Sequence, residues 1–190
     1  MTDNTLNVLS IDTDYVQSPR HFNDIIKFFL NYINDLDVEN IVFSQVHANI
    51  FYTLDPLCKR KQLIDLVTID HHHDIWYQQV PINSYNSGNW LGYYLNKKNF
   101  INNAYWLANY DSDRNNHNDL VTITYDINEV KFEKFDYVFV CNSPNYSNIL
   151  SETVFETLIN IVKHTKECEK FNFYKPNLVN HFSKEIIIND

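Results

Sequence analysis

Apolar residues in this chain fall into two alternating patterns: short continuous runs, and longer stretches with helical spacing. Leu6–Ile11, Ile41–Val46, Leu66–Ile69, Ala104–Ala108 and Tyr137–Cys141 are β-rich runs without polar alternation, as expected of strands buried on both faces of a sheet. Between them, Phe22, Ile25, Ile26, Phe29, Ile33 and Leu36 recur at helical spacing after Ser18-Pro19, a pair suited to a helix start. Further helices are expected over Asn89–Asn96 and from about Ser151 to His164, while the tail from Glu167 to Asp190 shows no clear period. Strands alternating with helices predict a three-layer α/β/α fold with a mainly parallel sheet. No repeat, linker or low-complexity block interrupts residues 1–190, so a single domain is expected.

Three of the predicted strands end in residues able to bind a metal. Leu66–Ile69 runs into Asp70, His71, His72, His73 and Asp74; the first strand runs into Asp12 and Asp14; His47 lies just past the second. Side chains alternate along an extended segment, so Asp70, His72 and Asp74 would converge while His71 and His73 face the other way. Open parallel sheets carry their sites at the carboxyl ends of strands. Brought to one edge, Asp12, Asp14, His47, Asp70, His72 and Asp74 would place four carboxylates beside two imidazoles. That mixed oxygen and nitrogen set suits Mn²⁺, Zn²⁺ or Fe²⁺, in one ion or a carboxylate-bridged pair.

Composition narrows the partners. With 190 residues and 44% hydrophobic content the chain can build a real core. A net charge of −9 disfavours nucleic acid as a partner, and two glycines, Gly88 and Gly92, cannot form a glycine-rich phosphate loop. A small-molecule substrate is the expected partner; oligomeric state is not legible. Cys58, Cys141 and Cys168 are too scattered for a disulfide framework or a cysteine zinc site, and no leader or 18-residue apolar run is present, so a cytoplasmic protein without membrane spans is expected.

The segment Asp70–Asp74 resembles the D-x-H-x-D signature of the arginase and deacetylase superfamily, and Ser10–Pro19 resembles its S-x-D-x-D segment, in which both aspartates bind metal. That superfamily has a further metal-binding histidine a little over twenty residues before D-x-H-x-D, and His47 precedes Asp70 by 23. Residues 87–109 are similar to the stretch after D-x-H-x-D in an arginase-like family of uncharacterised function, where an Asn-Trp pair, here Asn89-Trp90, opens a helix. The matches cover about half the chain. The resemblance implies an arginase-like fold and a dinuclear site, most simply manganese, that hydrolyses a guanidino, amidine or amide C–N bond. In that reading Asp74 accepts the water proton, His73 or His117 serves the leaving amine, and Asn89, Asp111, Asp113 and His117 are candidate substrate contacts. Two departures stand against it: here S-x-D-x-D precedes D-x-H-x-D rather than following it, and the substrate loops of arginases have no counterpart.

Asp12-x-Asp14 followed by Asp70-His71-His72 also resembles the phosphoesterases named for a D-H-H motif, whose motifs come in this order. Tyr15 stands where they carry glycine, and His47 where they carry an aspartate. A degenerate protein that keeps the metal and lacks chemistry is the third class the residues allow.

Overall fold

A computed structural model describes residues 5–75, 86–97, 99–113, 121–167 and 172–174. Its strands are β1 (Leu6–Asp12), β2 (Ile41–Ser44), β3 (Ile64–Ile69), β4 (Ile101–Leu107), β5 (Val121–Thr124), β6 (Tyr137–Cys141) and β7 (Asn172–Tyr174); its helices are α1 (Pro19–Tyr32), α2 (Phe51–Lys59), α3 (Trp90–Leu95) and α4 (Ile149–Thr165). The seven strands form one parallel sheet in the order β5-β4-β3-β1-β6-β2-β7. The expected three-layer α/β/α fold is present.

Crossover handedness sorts the helices. The connections β1 to β2 and β6 to β7 travel toward one end of the sheet, those from β2 to β3 and β3 to β4 toward the other, so right-handed crossovers must lay their helices on opposite faces. Accordingly α1 and α4 pack over Leu9, Ile11, Val67, Ile69, Val138 and Val140, whereas α2 and α3 pack over Val8, Ile64, Leu66 and Phe139. This two-sided burial explains the unbroken apolar runs. The direction of winding reverses around β1 and β3, where a parallel sheet leaves a crevice beyond its carboxyl ends.

Ser18 caps α1, its Oγ accepting the His21 amide at 3.2 Å. The helix ends four residues before the sequence expectation, because Ile33–Asp35 tightens into a 3-10 turn that still buries Ile33 and Leu36. Helix α2, absent from the sequence reading, carries Pro56 in its interior, and that proline hid it. The edge strands β5 and β7 are only four and three residues long and escaped notice for that reason. Gly92 has a packing cause: a Cβ there would lie 2.3 Å from the Ile75 carbonyl oxygen. Among the described residues no helix is long and apolar enough to cross a membrane.

Candidate metal centre

Parity along β1 and β3 sets the site. Val8 and Leu66 face α2 and α3, so two and four residues on, Ser10 and Asp12, and Thr68 and Asp70, continue that side. The register pairs Ser10 with Thr68 and Ile11 with Ile69, which leaves Asp12 and Asp70 side by side where the strands end. The β2 terminus adds the histidine. Ser44 Oγ accepts the Val46 amide and the Asn49 side-chain amide, each at 3.0 Å, and this tight turn delivers His47 over the sheet edge.

His47 Nδ1 lies 3.2 Å from Asp12 Oδ2, 3.3 Å from Asp70 Oδ2 and 3.0 Å from Asp74 Oδ2. Its Nε2 is 3.0 Å from Ser10 Oγ, its ring stacks on Phe139 and tilts against Trp90, and the side chain is 1% exposed. His72 Nδ1 lies 3.0 Å from Asp14 Oδ2 and 3.9 Å from Asp70 Oδ1, with 30% of the side chain exposed. Two donor groups result, Asp12–His47–Asp70 and Asp14–Asp70–His72, in each of which the donor atoms lie within 4.8 Å of one another. Asp70 belongs to both.

These six residues fit a divalent cation. His47 Nδ1 and Asp70 Oδ2 are fully buried, yet neither has a hydrogen bond of acceptable geometry despite the short separation. The close approaches around Nδ1 therefore bring electrostatic contact without hydrogen-bond alignment. Unpaired buried polar atoms are costly, and a cation held by His47 with Asp12 and Asp70 would satisfy both of these atoms. The described chain thus contains a buried group of Asp and His side chains that can hold a divalent metal.

The segment after β3 departs from simple alternation. Asp74 adopts a left-handed backbone, φ 49°, which aspartate tolerates better than most residues. As a result Asp70, His72 and Asp74 do not meet at one point: His72 joins Asp14, and Asp74 joins His47. The Asp74 carbonyl accepts the Leu91 and Gly92 amides, and Trp90 Nε1 donates to Asp74 Oδ2 at 2.7 Å. The Asn-Trp pair thus opens a helix that holds a site carboxylate. His71 donates its backbone amide to Asp14 Oδ1 at 3.3 Å, while its ring lies beside Asn109 and 4.0 Å from Asp111. His73 is 2% exposed, sits edge-on to Trp106 and accepts the Ile75 amide through Nδ1, so its visible task is to clamp this loop.

Of the candidate substrate contacts, Asn89 is turned inward, 6% exposed, its Oδ1 accepting the Asn86 amide to close the turn before α3. Asp111 and Asp113 are exposed, and His117 lies outside the described residues. Ser143, in the stretch that follows β6, donates Oγ–H to Asp12 Oδ2 at 2.6 Å. On the same turn Tyr146, 65% exposed, meets His72 edge-on. A separate hollow of about 260 Å³, lined by Leu6, Asp35, Lys134 and Asp136 among others, opens at the opposite, amino edge of the sheet, away from this chemistry.

No family profile, curated protein or solved structure matches this chain. Its functional reading rests on the site itself.

Without metal the carboxylates crowd one another. Burial and the charges of Asp12 and Asp70 push Asp14 up to about 7, against the pull of His72. Burial and the Asp74 charge push Asp70 up to about 8. Burial likewise raises Asp74, with His47 opposing. For Asp12 burial works upward, but His47 and Ser143 outweigh it and hold the acid low. His72 rises to about 9, chiefly through its hydrogen bond to Asp14. Burial alone would lower His47, and the three carboxylates reverse that and raise it well above the usual imidazole range.

Groups whose affinity for protons rises on folding stabilise the fold below their unfolded value and lose that contribution as pH climbs through the folded one. For Asp14, Asp70 and His72 that window runs from about pH 4 to about pH 9. The lowered Asp12 opposes the trend only below about pH 4. Metal-free protein is therefore expected to melt higher at pH 6 than at pH 8.5 in thermal scans by circular dichroism, and Asp70→Asn is expected to flatten the slope. A melting temperature that rises with pH in EDTA would contradict this account.

Proposed function

We propose that this protein is a metal-dependent hydrolase acting on a C–N bond of a guanidino, amidine or amide substrate. The observation that carries the reading is the pairing of His47 Nδ1 with the three oxygens of Asp12, Asp70 and Asp74, none aligned for hydrogen bonding with it, next to a second donor group that shares Asp70. Divalent cations, manganese first, with zinc or iron suited to the same donors, would supply the Lewis acidity that makes water a nucleophile near neutral pH. Four aspartates balance the cationic charge, and His47 and His72 contribute neutral nitrogens. Asp74, at the junction of the cluster and α3, is assigned the water proton. Substrate would approach past His72, the most exposed of the six, under Tyr146. The −9 net charge would draw cationic nitrogen compounds toward it.

The motif order departs from that of arginases, but β1 and β3 are neighbours in the sheet, so the two segments meet in space despite it. Motif order favours the phosphoesterase reading, whereas His47 and Asp74 in the cluster favour the C–N hydrolase: the former replaces that family's aspartate, and the latter has no part in its motif. The test is incubation of manganese-loaded protein with guanidino, amidine and amide compounds and, in parallel, with short oligonucleotides and cyclic dinucleotides, using Asp12→Asn as blank. Release of urea, ammonia or amine is expected. Metal-dependent cleavage confined to phosphodiesters would replace this reading with the phosphoesterase, and silence in both panels with a metal-binding protein that does no chemistry.

A further inference from the structure

We propose that the two halves of the centre are unequal: the half built on His47 holds a sealed, slowly exchanging cation that belongs to the folded state, and the half built on His72 holds a labile one. This rests on the metal reading above and adds an order of filling and release to it. The sealed half gathers Nδ1 of His47 and Oδ2 of Asp12, Asp70 and Asp74, every oxygen within 3.3 Å of that nitrogen. None of these four side chains is more than 8% exposed. Both unsatisfied atoms of the centre, His47 Nδ1 and Asp70 Oδ2, point to this half.

The surroundings leave these donors little freedom. Phe139 and Trp90 flank the imidazole, Ser10 Oγ holds its Nε2, Ser143 Oγ holds Asp12, and Trp90 Nε1 holds Asp74. Outer hydrogen bonds of this kind fix donor orientation. Bulk solvent has little access to these donors, so release of the cation is tied to local opening of the turn carrying His47 or the loop carrying Asp74. The other half offers three donors, Asp14, Asp70 and His72, only one of its two carboxylates unshared, and its histidine is 30% exposed. Three protein donors leave positions for water or substrate, as at catalytic sites. This half can exchange its cation without disturbing the sheet.

The experiment is a chelator challenge of the full chain. Protein loaded with Mn²⁺ and freed of excess metal is mixed with EDTA, samples are desalted at intervals, and bound manganese and melting temperature are measured on each. Two phases are expected: one ion leaves first with little change in melting temperature, and the second leaves slowly and takes most of the thermal stability with it. His72→Ala, at a half-exposed position, is expected to retain one ion with the slow rate of the wild type. Release of both ions in one phase, or loss of all metal from a folded His72→Ala, would overturn the inequality and leave the hydrolase reading standing. A wild-type chain that takes up no manganese, zinc or iron would overturn both.

Discussion

Chelation is expected to lower the melting temperature of the metal-loaded protein by about 8–16 °C. A ligand bound only to the folded state at a thousand times its Kd contributes about 4.1 kcal/mol, and each kcal/mol moves the midpoint of a 150–250 residue protein by about 2–4 °C. The site adds a specific reason for a large effect, since metal removal returns Asp12, Asp14, Asp70 and Asp74 to mutual repulsion in a space where none is more than 5% exposed. Asp70→Asn separates the two contributions. Asp70 serves both donor groups, so the variant is expected to show no melting shift on adding manganese, yet above about pH 8, where the Asp70 carboxyl ionises, to melt at or above metal-free wild type because one buried like charge is gone. Thermal scans of both proteins with and without EDTA measure this; an Asp70→Asn protein that still gains stability from manganese would show that the donors are misassigned.

The second large effect concerns residues that touch no metal. Ser143→Ala removes the 2.6 Å hydrogen bond to Asp12 Oδ2, and Trp90→Phe removes the 2.7 Å bond to Asp74 Oδ2. Losing such outer partners typically costs about 10–100-fold in metal affinity. Each variant is expected to bind manganese weaker by that factor, as read by competition with a fluorescent chelator. Melting of the metal-free forms is the control. Trp90 fills the α3 face of the core, so Trp90→Phe is also expected to lose some basal stability, whereas Ser143→Ala is not. Unchanged affinity in both variants would mean that Asp12 and Asp74 keep their orientation through backbone placement alone.

These two partners also mark where sequence reading stops. The clustering of Asp12, Asp14, His47, Asp70, His72 and Asp74 was legible because each follows a run whose continuous apolar character announces a buried parallel strand, and carboxyl ends of such strands share an edge. Ser143 and Trp90 were not, because a hydroxyl after β6 or an indole opening α3 acquires its meaning only from a neighbour far away in sequence, 131 residues for Ser143 and Asp12. Asn89 shows the converse. Its type suits substrate contact and turn closure equally, and the structure shows it buried and closing the turn before α3. Alternation carried the argument through Asp70 and then failed at Asp74, whose left-handed backbone follows from the anchoring of its carbonyl by Leu91 and Gly92. Helix α2 was masked by Pro56, although Leu54 and Leu57 bury the spacing that a helix requires.

Everything in this account depends on three strand ends holding a cation together. The most direct test is metal analysis of protein purified without a histidine tag, stripped with chelator and dialysed at pH 8 against a micromolar mixture of manganese, zinc and iron. About two ions per chain are expected in the wild type, the stoichiometry of a carboxylate-bridged pair, and none retained in a folded Asp70→Asn. Wild-type protein that emerges folded and metal-free, or Asp70→Asn that binds as much as the wild type, would contradict the account.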